Sequence, residues 1–311
     1  MTKIIVTGSS GFLGSAVLRE AVVQGIEAVG VVRRVPAGHA YRHLIVADLL
    51  ESPKELEQAI RERQASIVVH CALAERARFD THPDSADSIT ERIDSSVITA
   101  CADSPFIRRV VLVSSSAVYG QLKSSENAFR ETSDPNPASQ YGCTKLAQER
   151  RLLTAFGDRL AIARVFNVTG AGEPASMVGG SLAQRIASSS SGTVLSIRNS
   201  QSIRDFSDIG DVARALLDIG RLGDRAPGCF NVSSGLGTTV LAFASLILSA
   251  SDRALTLEPD FLGGESRSIG DSQLLRSTTG WRNSVTLEES ASSLWKSRAN
   301  LSREEGDPSF R

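Results

Sequence analysis

The stretch Lys3-Ile4-Ile5-Val6-Thr7-Gly8-Ser9-Ser10-Gly11-Phe12-Leu13-Gly14 decides how this chain is read. An apolar run leads into a turn with glycines at every third position, and a helical pattern over 12–24 follows. Strand, glycine turn and helix in that order build an anion site from backbone alone. Gly8 allows the tight turn. Gly11 lets the main chain approach a diphosphate with no Cβ in the way, and Gly14 lets the helix pack closely on the strand. Ser10, Phe12 and Leu13 share the turn and are expected to border the ligand. The unpaired N–H groups and the positive dipole end of the helix favour an anion there.

Working outward, strand-like runs fall at 3–7, 27–32, 44–46, 66–70, 109–114 and 160–165, with helical patterns at 12–24, 53–63, 88–102 and 138–156. The runs are continuous in Val, Ile and Leu, as in Val110-Val111-Leu112-Val113, which suits strands covered on both faces. Alternating strands and helices predict an α/β fold, a Rossmann doubly wound parallel sheet with ligands at the carboxyl ends of its strands. Beyond 165, Gly, Ser and Pro become frequent. The reading is therefore a dinucleotide-binding domain over 1–165, a smaller substrate lobe over 166–296 with some segments returning to the first, and a mobile polar tail over 297–311.

Composition narrows the function. The 311 residues carry a net charge of −1, so no basic field for nucleic acid or membrane is implied, and anions must be caught locally. No apolar run approaches a membrane span, and the N-terminus is strand-like rather than a signal peptide. Cys71, Cys101, Cys143 and Cys229 are widely spaced, which points away from disulfides and metal and toward a reducing cytoplasm. His39, His43, His70 and His82 show no ligand spacing, and His70, ending a strand, reads as structural.

The coenzyme end is marked by the second strand, which finishes at Val32 and runs into Arg33-Arg34. An acid usually stands there when the ribose carries a free 2′-hydroxyl. A guanidinium in its place pairs with a 2′-phosphate, so NADP(H) is favoured over NAD(H), a solvated basic loop being the plainer alternative. Asp48-Leu49 follows the third strand and is expected to border the adenine, although Asp48 alone could be a surface aspartate.

At the other end, Ser114-Ser115-Ser116-Ala117-Val118-Tyr119-Gly120 closes the fifth strand, and Tyr141-Gly142-Cys143-Thr144-Lys145 begins a helix. Tyr141 and Lys145, four apart, share a helix face. An ammonium beside a phenol favours the phenolate, so the pair can exchange a proton near neutrality. Ser115 can polarise a substrate carbonyl, with Ser116 as runner-up.

On these motifs the chain resembles the extended short-chain dehydrogenase/reductase family, in its nucleotide-sugar branch. The resemblance also rests on Arg164-Val165-Phe166-Asn167-Val168-Thr169-Gly170, on the segment from Arg204-Asp205-Phe206 to Ala213, on Phe230 to Gly235 and on Leu274 to Trp281. It implies that Ser115, Tyr141 and Lys145 are catalytic, and that Lys145 also holds the nicotinamide ribose. It implies that Cys71, Ala72 and Leu73 lie against the coenzyme, that Asn167 meets a nucleotide-diphosphate sugar and that Arg204 meets its diphosphate. Local alternatives are an ion pair of Arg204 with Asp205 or Asp208 and a loop cap for Asn167. Leu73 and the charged continuation to Arg76 and Arg78 depart from the family pattern and either shape the pocket or are solvated.

Family members reduce, epimerise, dehydrate or decarboxylate nucleotide sugars. The 4,6-dehydratases place an acid pair where this chain has Ser116-Ala117, and alanine moves no proton. The leading expectation is NADPH-dependent 4-keto reduction of a nucleotide deoxysugar, resembling the GDP-4-keto-6-deoxymannose reductases. The alternatives are a 4-epimerase with tightly bound NAD and, more remotely, an NADP-sensing regulator. The resemblance further implies a homodimer through the helices at 88–102 and 138–156, which an apolar outer face on both would support.

Overall fold

The computed structural model describes residues 2–35, 43–123, 126–223, 228–260 and 266–306, of which 299–306 by backbone alone. In chain order the elements are β1 (Lys3–Thr7), α1 (Phe12–Val23), β2 (Glu27–Val32), β3 (Leu44–Val46), α2 (Lys54–Arg63), β4 (Ile67–His70), α3 (Arg78–Thr81), α4 (Pro83–Cys101), β5 (Arg109–Ser115), α5 (Gln140–Phe156), β6 (Leu160–Val165), β7 (Asn167–Thr169) and α6 (Val178–Ser188). They continue as β8 (Val194–Ile197), β9 (Ile203–Asp208), α7 (Ile209–Gly220), β10 (Cys229–Val232), β11 (Gly237–Thr239), α8 (Val240–Ser249), β12 (Thr256–Pro259), β13 (Arg267–Ser268), α9 (Gln273–Thr279) and α10 (Leu287–Gly306).

The centre is a seven-stranded sheet in the order β10-β6-β5-β4-β1-β2-β3. Every pairing in it is parallel. The order reverses between β1 and β4, and the carboxyl ends there open the crevice in which a doubly wound sheet takes its ligand. One face is covered by α1 and α7, the other by α2, α4 and α5. This double cover is why the strands read as unbroken apolar runs: Ile4, Ile5 and Val6 are all buried.

The last third is not one separate body. Helix α7 and strand β10 complete the central sheet and its core, with Phe230 and Trp281 packed among the α1 and α7 side chains. The second lobe is what remains. It holds a sheet of β11, β9 and β13 with β7 against β9, a β8–β12 pair, and a core between α6, α8 and α10. No described helix is long and apolar enough to cross a membrane.

Helix α10 runs on into the polar segment from 297 as far as Gly306, and Ser297 accepts the Gly172 N–H at 2.9 Å. Residues 307–311 lie outside the described residues, as does His39. The outer face of α4 is mainly polar: its exposed positions are Pro83, Asp84, Ser88, Glu91, Arg92, Ser95 and Thr99, and α5 exposes Leu153 as its large apolar residue.

Candidate active site

The glycine turn is built as its sequence demands. Gly8 has φ +65°, and a Cβ there would lie 2.7 Å from the Ala72 backbone. A Cβ on Gly14 would meet the Gly8 carbonyl oxygen at 2.4 Å, so only glycine lets α1 start this close to β1. Gly11 caps α1 with no side chain on the first N–H groups, and the first turn carries no acid. An N-terminus left open in this way fits a pyrophosphate. Ser10 and Gly11 are exposed above the turn.

A cavity of about 640 Å³ adjoins the turn. Phe12 and Leu13 form one wall, joined by Cys71 and Leu73 from the end of β4. Ser115 and Ser116 enter from β5, Tyr141 and Lys145 from α5, Asn167 from β7 and Arg204 from β9. Two close backbone contacts set α5 against β5. A Cβ on Gly142 would sit 2.5 Å from the Ala117 carbonyl oxygen, and one on Gly120, where φ is +77°, would sit 2.1 Å from that of Asn136. Ser139 caps α5 by accepting the Gly142 N–H at 3.2 Å. These contacts fix Tyr141 beside the serine end of β5.

The three serines divide. Ser114 is buried and donates to Glu149 Oε1 at 2.5 Å, within the Glu149–Arg164 ion pair. Ser115 accepts the Ala117 N–H at 3.2 Å and faces the cavity with Ser116. Lys145 is nearly buried and donates to the Val113 carbonyl at 2.7 Å and to Gln148 Oε1 at 3.0 Å. Burial pushes the Cys71 thiol up to about 12 although Lys145 pulls it down, so Cys71 lines the cavity as a packing group and not as a nucleophile.

Arg204 makes neither of the ion pairs the sequence allowed. Its Nη1 donates to the Ile203 and Ser266 carbonyls, both at 2.9 Å, and its Nη2 to Ser266 Oγ at 2.6 Å. Asp205 is turned away and accepts from Ser234, Gly235 and Gly270. Burial raises its carboxyl to about 6 in spite of those bonds. Asn167 Nδ2 donates to the Asp205 carbonyl at 3.3 Å, which ties β7 to β9, while its amide oxygen has no protein donor among the described residues.

The remaining coenzyme residues lie outside the cavity. Arg33 and Arg34 are exposed at the end of β2. Asp48 accepts the Leu50 N–H at 3.0 Å, and the Leu49 side chain belongs to the core. Ala72 packs toward that core and gives its N–H to Thr7 Oγ1 at 3.4 Å. His70 is fully buried between Thr7 and Asp94.

Sequence reading missed Arg267. It lines the cavity beside Arg204 because β13 pairs with β9, with Ser268 opposite Arg204. Its Nε is buried without a partner. No motif spacing marks it; only the pairing does. Arg76 also reaches the cavity, its guanidinium carbon 4.4 Å above the Tyr141 ring. The described lining thus carries Arg76, Lys145, Arg204 and Arg267 and no carboxylate, in a chain with a net charge of −1.

An open dinucleotide turn and a Tyr–Lys pair meeting at one cationic cleft place the protein among NAD(P)-dependent oxidoreductases of the short-chain type. The chain belongs to the NAD dependent epimerase/dehydratase family, whose model matches residues 4–233. It is similar to a dTDP-6-deoxy-L-talose 4-dehydrogenase (NAD(P)(+)) of Kitasatospora kifunensis, 27% identical over 96% of both chains. It is 28% identical to the GDP-6-deoxy-D-mannose reductase of Pseudomonas aeruginosa, over 95% of this chain and 98% of the relative. Among solved structures, that of RMD from Pseudomonas aeruginosa complexed with NADPH matches with a TM-score of 0.81 at 25% identity, over 97% of this chain and 100% of the other.

Proposed function

We propose that the protein is an NADPH-dependent reductase of a 4-keto nucleotide deoxysugar. The observation that carries this is the cavity itself. Its lining offers four cations, one phenol and, among the described residues, no carboxylate. A ligand with a diphosphate suits the cations. A single proton donor suits carbonyl reduction, whereas a dehydration needs an acid and a base at separate carbons. Relatives named as a dTDP-6-deoxy-L-talose 4-dehydrogenase and a GDP-6-deoxy-D-mannose reductase support the substrate class.

Bound NADPH supplies hydride to the keto carbon. Tyr141 gives its phenolic proton to the developing alkoxide oxygen. Lys145 would offer its remaining donor to the ribose of the coenzyme. Ser115 donates to the carbonyl oxygen and polarises it, with Ser116 beside it. Asn167, Arg204 and Arg267 hold the nucleotide-diphosphate sugar. Gly8, Gly11 and Gly14, with Ser10, carry the coenzyme diphosphate, and Phe12, Leu13, Cys71 and Leu73 pack the nicotinamide end. Arg33 and Arg34 favour NADP(H) through the 2′-phosphate, and no carboxylate closes β2 at Val32.

The test is to incubate the pure protein with NADPH and a panel of nucleotide 4-keto sugars, and to identify products by mass and NMR. A reduced product, lost in Tyr141→Phe with coenzyme affinity kept, is the expected result. Copurified NAD and turnover without added coenzyme would instead establish the 4-epimerase. Tighter binding of NADH than NADPH would remove the coenzyme preference. The same reading carries a homodimer through α4 and α5, joined by polar side chains and Leu153, and a reducing cytoplasm for the four free cysteines. Sedimentation decides the first.

A further inference from the structure

A buried line of hydrogen bonds runs behind the cleft from Lys145 to the strand that ends in the glycine turn. Gln148, one turn beyond Lys145 on α5, accepts from its ammonium at 3.0 Å and donates through Nε2 to Asp94 Oδ1 on α4 at 2.6 Å. The same Asp94 oxygen meets His70 Nε2 at 3.1 Å, and Arg151 donates to the other oxygen. His70 Nδ1 meets Thr7 Oγ1 at 2.7 Å. Thr7, Asp94 and Gln148 are 0% exposed, His70 1% and Lys145 4%.

The direction of the bonds follows from the groups. Thr7 Oγ1 accepts the Ala72 N–H at 3.4 Å. Asp94 Oδ1 can only accept, so His70 Nε2 donates to it. Burial would raise the Asp94 carboxyl, but the His70 bond and charge, the Gln148 bond and the Arg151 charge outweigh it and hold Asp94 below the usual range. A set of buried polar groups is costly to assemble, and apolar side chains would fill the space with less desolvation. Its outcome is geometric. An ammonium has three donors. Val113 and Gln148 take two of them, which leaves one for the cleft.

We propose that Gln148 and Asp94 are positioning residues for Lys145: they fix the direction of its one open donor, and through His70 and Thr7 they tie that direction to the turn that carries the coenzyme diphosphate. The proposal rests on the cleft being a coenzyme site and needs no identified sugar. Ala72, which donates to Thr7, is also the backbone against which Gly8 is packed, so the two ends of the coenzyme site share one rigid support.

The experiment is a double-mutant cycle read as coenzyme affinity. NADPH and NADH are titrated by calorimetry into the parent protein, Gln148→Met, Lys145→Met and the double variant, with a thermal unfolding curve for each. Gln148→Met is expected to weaken binding about tenfold, the scale of one misaligned charge-assisted hydrogen bond. The double variant should bind within about twofold of Lys145→Met, because coupled residues do not add. Parent-like binding by Gln148→Met, alone or with a lowered unfolding midpoint, would overturn the proposal. So would a double loss equal to the product of the single losses. A parent that binds neither coenzyme would overturn the coenzyme reading and this inference with it, whereas an additive loss in a chain that binds would overturn this inference alone.

Discussion

Arg204→Met separates the two phosphate anchors of the cleft. A guanidinium has five N–H donors in a rigid fork. In Arg204 both Nη1 donors go to the Ile203 and Ser266 carbonyls, and one Nη2 donor goes to Ser266 Oγ. The Ser266 bonds occupy one edge of the fork. The other edge, Nε–H with the second Nη2–H, has no protein acceptor among the described residues, and Arg204 lines the cavity. Such an edge matches two oxygens of a phosphate. Burial lowers the guanidinium from its usual value, and no carboxylate among the described residues pairs with it.

Two charge-assisted bonds at about 1.5–3 kcal/mol each give about 3–6 kcal/mol, and partial exposure and salt reduce this to about 2–4 kcal/mol. The expected loss of nucleoside-diphosphate affinity is therefore about 30- to 1000-fold. Arg204→Lys keeps the charge without the fork and should recover only part of it. The assay is calorimetric titration of UDP, dTDP and GDP, with NADPH titrated in parallel. Nucleoside-diphosphate binding should collapse while NADPH affinity stays within about twofold, since the coenzyme diphosphate is held by the glycine turn. Parent-like affinity for every nucleoside diphosphate, or an equal loss for NADPH, would refute the assignment.

Three further outcomes are expected. Gly14→Ala puts a methyl 2.4 Å from the Gly8 carbonyl oxygen, so it should cost about 1–3 kcal/mol in urea unfolding and abolish saturable NADPH binding together. Burial raises the Glu173 carboxyl to about 7, so the folded chain keeps a proton that the unfolded chain has lost, and this group's contribution falls as pH rises from about 4.5 to about 7. Glu173→Gln, which keeps an oxygen for the Gly179 N–H, should therefore gain stability over the parent at pH 8 relative to pH 5, by at most about 3 kcal/mol; an equal difference at both pH values would contradict this. Arg76→Leu removes the cation over the Tyr141 ring, and at about 0.5–1 kcal/mol this should lower kcat/KM about two- to fivefold with NADPH affinity unchanged.

What the sequence made legible was whatever lies close together along the chain. The glycine turn has its strand, its anion site and its helix within the first 23 residues, so spacing alone reveals it. Tyr141 and Lys145 are one helical turn apart. The strands of the central sheet announce themselves because both faces are covered. The serines were harder: identical letters at 114, 115 and 116 hide opposite fates, and only the Glu149–Arg164 pair behind β5 shows why Ser114 is turned inward. Arg267 was invisible for a similar reason. It reaches the cleft through a pairing with β9 across about sixty residues of chain, and no local pattern encodes that. Polar composition carries no sign of the helix that α10 continues to Gly306.

The distribution of charge in the cleft restricts the chemistry more than any single motif does. The chain as a whole is close to neutral, so its cations at the cavity are a local choice. Arg204 and Arg267 stand on the second lobe, while the glycine turn stands on the first. Cations of the second lobe and the start of α1 on the first therefore border one cavity with Tyr141. Gly142 and Gly120 hold the start of α5 close to the end of β5, because a Cβ on either would meet a backbone carbonyl oxygen. A cleft of this kind can align two dinucleotide-like ligands and exchange one proton at their junction. Among the described residues its lining holds no carboxylate: Cys71 is held as a thiol, and Glu149 and Asp205 are committed to Arg164 and to Ser234 and backbone N–H groups. Reactions that need hydride and one proton remain open to it, and reductions and 4-epimerisations are those reactions. What separates the two is whether the coenzyme leaves after each turnover, and the exposed Arg33–Arg34 end of the site, where a 2′-phosphate would be gripped from solvent, favours exchange.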